Sequence, residues 1–316
     1  MTSVEMKRGR VAVVGLGAMG VGMALTLIRA GFAVAGYDLS DAAVARLVAA
    51  GGHGARSPAE AAEGATAVVS VVVNAAQTEA VLFGSEGCAG TMAADAVFIS
   101  CATMAPDAAA ALAGRLRKAG RDFVDAPISG GAKRAADGSL TILASGNPAA
   151  LDKARPVLRA MGQTLHELGT EPGTAAAFKM INQLLAGVHI AVACEAIAFA
   201  AKLGLDIGKV YDVISQAAGT SWMFENRIPH VLEGDYTPLS AVNIFTKDLG
   251  IVMDMGRAAN FPVPMAATAL QLFTMTSAAG MGRDDDSSVA RFYAQTAGVT
   301  LPHKSAVGGA SDQDPA

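Results

Sequence analysis

Six residues near the start of the chain, Gly15-Leu16-Gly17-Ala18-Met19-Gly20, limit the possible folds more than any other feature. They follow an apolar run, Arg10 to Val14, and lead into a helical stretch, Ala18 to Ala30. A G-x-G-x-x-G pattern between a strand and a helix is the setting in which a dinucleotide is bound. Gly15 permits the tight turn, Gly17 lets a pyrophosphate approach the backbone, and Gly20 allows close helix–strand packing. The unpaired N–H groups and the dipole of the helix N-terminus then face the phosphates. The pattern alone is weak evidence, but Asp38 supports it from the end of the next strand, roughly 20 residues onward. There it would accept hydrogen bonds from the adenosine ribose hydroxyls. A 2′-phosphate would meet a like charge, and Leu39 and Ser40 supply no arginine. That predicts NAD rather than NADP. The alternative is that Asp38 only caps the helix beginning near Asp41.

Through the first half, short apolar runs alternate with helical stretches. Arg10–Val14, Ala33–Tyr37, Ala67–Val73 and Val97–Ser100 read as buried strands. Ala18–Ala30, Asp41–Ala50, Thr78–Phe83 and Pro106–Ala119 read as helices. Such alternation implies βαβ units and a parallel sheet, which Asp122–Asp125, Leu140–Ala144 and Thr164–Leu168 extend. The helix Pro148–Met161 opens on Asn147-Pro148, a cap followed by proline at the first helical position. Beyond Gly169 the strands stop, and Thr174–Leu203, Ile207–Ala218, Asn243–Ala259 and Pro264–Ala279 are all helical. The expected fold class is an α/β Rossmann-type doubly wound parallel sheet followed by an all-α C-terminal domain. The sequence divides into a dinucleotide-binding domain over residues 1–169, a helical substrate and oligomerisation domain over 170–302, and a disordered tail over 303–316.

Composition excludes several classes. Of the 316 residues 52% are hydrophobic and 16% charged, so a core is easily built and disorder is confined to the ends. A net charge of −4 argues against a nucleic-acid surface. Cys88, Cys101 and Cys194 show no CxxC spacing, which fits a reducing, cytoplasmic compartment and excludes a disulfide scaffold. Lys7-Arg8-Gly9-Arg10 before an apolar run resembles a signal peptide, yet the glycines at 15, 17, 20 and 22 fit a strand-to-helix loop better. Leu184 to Ala201 approaches the length of a membrane span. His189 and Glu195 interrupt it, so a buried helix without membrane contact is expected.

Two further clusters bear chemistry. Asp125-Ala126-Pro127-Ile128-Ser129-Gly130-Gly131 leaves a strand at its C-terminal end, the edge where open α/β sheets bind ligands. Ser129 with Gly130 and Gly131 offers a hydroxyl and exposed N–H groups suited to a carboxylate, although taken alone an ordinary Ser-Gly-Gly turn is the better reading. Lys179, Asn182 and Gln183 share one helix face at i, i+3 and i+4. Polar groups on an apolar helix need partners when buried, so they either complete a polar network or line a site. No metal site is expected: the histidines are scattered and HExxH is absent. No GxSxG elbow is present. Asp284-Asp285-Asp286 lacks the spacing of a calcium loop and reads as a solvated turn, with Asp286 or Ser287 capping the last helix.

Taken in order, Gly15–Met23, Asp125–Gly131, Gly173–Gln183 and Lys247-Asp248 resemble the β-hydroxyacid dehydrogenase family, over roughly residues 10 to 300. The resemblance implies that Lys179 is the catalytic lysine and that Asn182 orients substrate beside it, with Gln183 in the same set. Ser129, Gly130 and Gly131 would hold the carboxylate of a small hydroxy acid. To the cofactor residues Gly15, Leu16, Gly17, Ala18, Met19, Gly20 and Asp38 it adds three. These are Asn74, Thr103 at the nicotinamide ribose, and Lys247, reaching from the helical domain toward the nicotinamide end. Two departures stand out: the family's second glycine after Gly173 is Ala175 here, and its second asparagine after Asn182 is Gln183. The longer amide bears on substrate size, not on reaction type.

The implied reaction is NAD-dependent oxidation of a hydroxy acid, with Lys179 as general acid and base. An ordinary lysine has a pKa of about 10.4, so burial and a neighbouring cation would have to lower it. The alternatives are an NAD(P)H-dependent semialdehyde reductase, separated by Asp38, and a non-catalytic NAD-binding sensor, which would not need the full set of Ser129, Lys179, Asn182 and Lys247. The long apolar helix predicts a homo-oligomer, dimer or tetramer, built through the helical domain.

Overall fold

The computed structural model describes residues 8–303. In chain order its elements are β1 (Arg8–Val14), α1 (Gly20–Arg29), β2 (Phe32–Tyr37), α2 (Asp41–Ala49), β3 (His53–Gly54), α3 (Pro58–Ala62), β4 (Ala67–Ser70), α4 (Ala75–Phe83), β5 (Val97–Ser100), α5 (Pro106–Lys118) and β6 (Asp122–Asp125). They continue with β7 (Ile128–Ser129), α6 (Gly131–Asp137), β8 (Leu140–Ser145), α7 (Pro148–Met161), β9 (Gly162–Gly169) and the long α8 (Thr174–Lys202). The remainder is helical: α9 (Ile207–Ile214), α10 (Trp222–Glu233), α11 (Val242–Ala258), α12 (Pro264–Thr276) and α13 (Val289–Ala297).

One sheet runs in the order β3-β2-β1-β4-β5-β6-β8-β7, with β9 paired to β8. The strands from β3 to β6 are parallel, so the C-terminal ends of β1, β2, β4, β5 and β6 lie along one edge. Val11–Val14 of β1, all of β4 and β5, and Phe123–Asp125 of β6 are buried on both faces, which explains the unbroken apolar runs. Val11, Val13, Val69, Ile99 and Val124 face a core shared with α1 and α7, while Ala12, Val14, Val68, Phe98 and Phe123 face one shared with α3 and α5. The expected parallel sheet needs one amendment: β8 runs antiparallel to β6 and to β7, and β9 is parallel to β8. β7 continues the line of β6, and the chain folds back through α6 so that β8 pairs with both in one antiparallel register, Asp125 with Ser145 and Ser129 with Thr141. The expected strand Ala67–Val73 stops at Ser70 because the chain turns there to present Asn74 as the cap of α4.

The chain divides into two compact units, one through Asn182 and one from Gln183, with α8 belonging in part to each. Within the second, Gly187 lets α8 approach α11 closely: a Cβ there would sit 3.0 Å from Leu249 and Phe245 side-chain atoms. Phe245 of α11 stacks on Phe273 of α12 at 5.0 Å. α8 is the one helix among the described residues that is long and apolar enough to cross a membrane, and half of that stretch is buried, as in the core helix of a soluble protein.

The acidic triplet departs from expectation. Asp285 and Asp286 are wholly buried, not solvated. Arg227 of α10 grips Asp286 with two bonds, Nε to Oδ1 at 2.6 Å and Nη2 to Oδ2 at 3.2 Å. Asp285 accepts from the Leu239 amide at 2.9 Å and from the Ser287 hydroxyl at 2.7 Å. The expected disordered tail lies outside the described residues beyond His303, and so does Lys7 of the basic N-terminal run.

Candidate active site

Apart from Lys247, which lies on α11, the expected cofactor residues follow the ends of β1, β2, β4 and β5. Gly15, just past β1, has φ +94°, a conformation that favours glycine, and a Cβ there would lie 2.5 Å from the Val71 carbonyl oxygen. A Cβ on Gly20 would lie 1.8 Å from the Gly15 carbonyl oxygen, yet one on Gly17 would meet nothing within 4 Å. The outer two glycines are therefore demanded by packing and the middle one by open space. Space beside Gly17 is what a dinucleotide phosphate needs. No side chain caps α1, and Leu16 to Met19 lead directly into its first turn. This stretch of backbone fits an NAD(P) pyrophosphate.

Asp38, just past β2, is tied back to the same loop: its Oδ2 accepts from the Leu16 amide at 2.6 Å and its Oδ1 from the Ser40 amide at 2.8 Å. α2 takes its cap from Ser40, whose hydroxyl accepts from Ala43, and not from Asp38. Asn74, past β4, caps α4 by accepting from Gln77 at 2.9 Å, while Gln77 accepts from the Val73 amide at 2.8 Å. Thr103 lies past β5, half-buried in the loop before α5. Past β6 the chain reaches Ser129, the last residue of β7, then Gly130 at φ +136° and Gly131 at φ +75°. A Cβ on Gly130 would strike the Arg134 side chain at 2.7 Å, whereas one on Gly131 would meet nothing. As at Gly15 and Gly17, one glycine is packed and its neighbour faces space.

α8 carries the remaining candidates. Lys179 and Gln183 are each only 7% exposed, and Asn182 is exposed. The start of α8 is held by β6 and β8. Asp125 Oδ2 accepts from the Gly173 amide at 3.1 Å and the Ala176 amide at 2.8 Å, and Ser145 Oγ accepts from the Ala175 amide at 3.0 Å. Burial pushes the Asp125 carboxyl up to about 6, against the pull of the two backbone N–H groups. In the second unit, Gln183 Nε2 donates to Asp248 Oδ2 at 2.6 Å, and Lys247 Nζ lies 2.7 Å from Asp248 Oδ1. Gln183, expected among the substrate residues, thus has its amide nitrogen directed to a carboxylate of the protein.

One sheet edge therefore gathers Gly15–Gly20, Asp38, Asn74, Thr103 and Ser129–Gly131 from far-apart stretches of chain. Gln183 and Lys247 meet at Asp248. Sequence reasoning assigned no role to Asp125, Ser145 or Asp248, although an acidic residue closing a buried apolar run, as Asp125 does, was a usable signal.

Comparison with known proteins agrees. Residues 10–169 match the model for the NAD binding domain of 6-phosphogluconate dehydrogenase. Residues 173–293 match that for the NAD-binding domain of NADP-dependent 3-hydroxyisobutyrate dehydrogenase. The L-threonate dehydrogenase of Cupriavidus necator is 49% identical over 93% of this chain and 98% of its own length. That of Haemophilus influenzae is 45% identical over 96% and 100%. A crystal structure of 3-hydroxyisobutyrate dehydrogenase from Salmonella typhimurium superimposes with a TM-score of 0.86 at 46% identity, covering 90% of this chain and all of that one. With the glycine loop and the Ser-Gly-Gly loop on the same sheet edge, the chain belongs to the β-hydroxyacid dehydrogenase family and is an NAD(P)-dependent oxidoreductase acting on a small hydroxy acid.

Proposed function

We propose that this chain oxidises L-threonate to 2-dehydro-L-erythronate with NAD. The observation that carries the reaction is the buried Lys179 on a helix whose first turn is bonded to the strand end that leads into Ser129-Gly130-Gly131. The substrate follows the L-threonate dehydrogenases that share 44–49% of its sequence. NAD is favoured because Asp38 puts a carboxylate where a 2′-phosphate would be repelled.

When bound, the nicotinamide supplies the hydride acceptor. The chain does the rest. Ser129 and the amides of Gly130 and Gly131 hold the substrate carboxylate, and Asn182 orients the hydroxyl. Lys179, as the neutral amine, takes the hydroxyl proton; as the ammonium it returns a proton to the forming alkoxide in the reverse direction. Gly15, Leu16, Gly17, Ala18, Met19, Gly20, Asn74, Thr103 and Lys247 serve the cofactor. Residues up to 169 form the cofactor domain, and residues 170–302 form the substrate and oligomerisation domain. Leu185, Val192 and Phe199 recur every seven residues on α8 and are half-exposed or more, which supports a homodimer or homotetramer. Three free, buried cysteines support a cytoplasmic setting.

The test is reduction of NAD⁺ and NADP⁺, followed by absorbance, across C3 and C4 hydroxy acids including L-threonate, with Lys179→Ala in parallel. Turnover of L-threonate with NAD⁺, falling on the order of 10²–10⁴-fold in the variant, is expected. Near wild-type turnover of the variant removes Lys179 from the mechanism, a preference for NADP⁺ overturns the Asp38 reading, and cofactor binding without turnover of any acid points to a sensor.

A further inference from the structure

Four polar residues lie in register across neighbouring strands at the ligand-binding edge of the sheet: Ser70 of β4 beside Ser100 of β5, Ser100 beside Asp125 of β6, and Asp125 beside Ser145 of β8. All four are completely buried. Two residues earlier, the same strands place Val68, Phe98 and Phe123 in the apolar core on that face, so the sheet turns polar only in its last row.

The polar row coincides with the start of α8. A helix leaves its first four N–H groups without partners of its own. Here the amides of Gly173 and Ala176 go to Asp125, and the intervening Ala175 amide goes to Ser145. The partners lie beside each other on adjacent strands, so they fix the rotation of the helix as well as its height above the sheet. A third contact restrains it. Gly173, at φ +101°, passes so close to Pro106 of α5 that a Cβ would stand 2.5 Å from the Pro106 carbonyl oxygen. Lys179 follows Ala176 by less than one turn, and Ser129 follows Asp125 by four residues. One buried side chain therefore joins the strand end leading to the carboxylate loop with the helix turn leading to the lysine.

We propose that Asp125, seconded by Ser145, is a positioning residue for catalysis: it clasps the first turn of α8 to the ends of β6 and β8 and thereby fixes Lys179 relative to Ser129-Gly130-Gly131. The proposal rests on the acid–base reading of Lys179. A carboxylate suits the task because one oxygen serves two amides and is attracted by the positive end of the helix. A displacement of about 1 Å in such a site costs on the order of 10²-fold in rate.

The experiment compares Asp125→Ala, Asp125→Asn and Ser145→Ala with wild type by three readouts. These are kcat and KM with L-threonate, or with the best acid of the C3–C4 panel; NADH affinity by fluorescence titration; and amide hydrogen exchange over residues 170–182. Asp125→Ala is expected to lower kcat roughly 10–100-fold, to leave NADH affinity within about twofold, and to speed exchange at the start of α8. Asp125→Asn, which keeps an acceptor oxygen, recovers most of kcat, and Ser145→Ala shows the same pattern more weakly. Wild-type kcat in a folded Asp125→Ala, a loss confined to KM, or lost kcat with unchanged exchange each overturns the proposal. If Asp125→Ala does not fold, Ser145→Ala and Asp125→Asn decide: unchanged exchange and kcat in Ser145→Ala sinks the clasp. Lys179→Ala, run alongside, separates the two readings. Should it retain turnover, the acid–base assignment falls and the catalytic part of this proposal with it, whereas the exchange data still report whether Asp125 anchors the helix.

Discussion

Asp125 in the α/β unit and Asp286 in the helical unit are both buried completely, and the two are held differently. Asp286, in the helical unit, is held by the guanidinium fork of Arg227. Asp125, in the α/β unit, has no ion-pair partner among the described residues and leans on two backbone amides at the start of α8. Burial pushes both carboxyls up, Asp286 to about 7 despite the pull of Arg227 and Asp125 to about 6. An ion pair ties side chain to side chain and leaves the backbone on either side free to be rebuilt. A carboxylate bonded to a helix start ties one backbone element to another. The first is a device for holding helices together; the second holds a geometry.

The largest expected effect tests the ion pair. Arg227→Ala strands a buried charge and should destabilise the protein by about 3–5 kcal/mol, a fall in Tm on the order of 10 °C in thermal unfolding. Replacing Arg227 and Asp286 together by apolar residues of similar volume should recover most of that loss. A Tm within a degree of wild type for Arg227→Ala alone would remove the contrast.

Next comes the pH dependence of the unpaired carboxylate. A carboxyl raised on folding favours the folded state at low pH, and that contribution is lost as pH rises through its folded pKa. For Asp125 the window runs from the ordinary 3.8 to about 6. About two units correspond to ~3 kcal/mol. Compared with Asp125→Asn, wild type should therefore gain relative stability as pH is lowered from 7 to 4, read as the difference between the two Tm curves. Parallel curves would show that the amides of α8 already offset the burial of the charge.

The smallest effect is the most discriminating. Ser221 caps α10 by accepting from the Phe224 amide at 3.0 Å, and Ser145 accepts from the Ala175 amide of α8 at the same distance. Each change to alanine should cost about 1 kcal/mol in urea unfolding. Only Ser145→Ala should also lower kcat. Equal kcat in the two variants would mean that the α8 cap is purely structural.

The sequence was most informative where local physics dominates. Val97–Ser100, Asp122–Asp125 and Pro148–Met161 stand in the structure with the bounds read from their apolar runs and capping residues. The glycine loop was legible because its spacing encodes conformational needs that only glycine meets. What escaped depended on distant partners or on broken rules. α10 carries Pro229 in its interior, where proline argues against a helix. α6 begins at two consecutive positions of positive φ and resembles a turn. Asp286 read as solvated because its partner, Arg227, is 59 residues away. The direction of β8 leaves no mark on its own residues. Asp125 was quoted as part of a loop motif, but its purpose lies in amides 48 and 51 residues downstream.

The polar last row of the sheet has a consequence for anyone redesigning this protein. Ser70, Ser100 and Asp125 sit wholly inside, next to an apolar layer. A stabilisation programme that rewards apolar burial would pick them first and substitute valine, alanine or leucine. At Ser70 and Ser100, whose buried hydroxyls have no hydrogen-bond partner among the described residues, such variants should tolerate heat better. Carried on to Asp125, the same rule would strand the amides of Gly173 and Ala176 and let the helix start settle elsewhere, so that the lysine no longer meets its substrate.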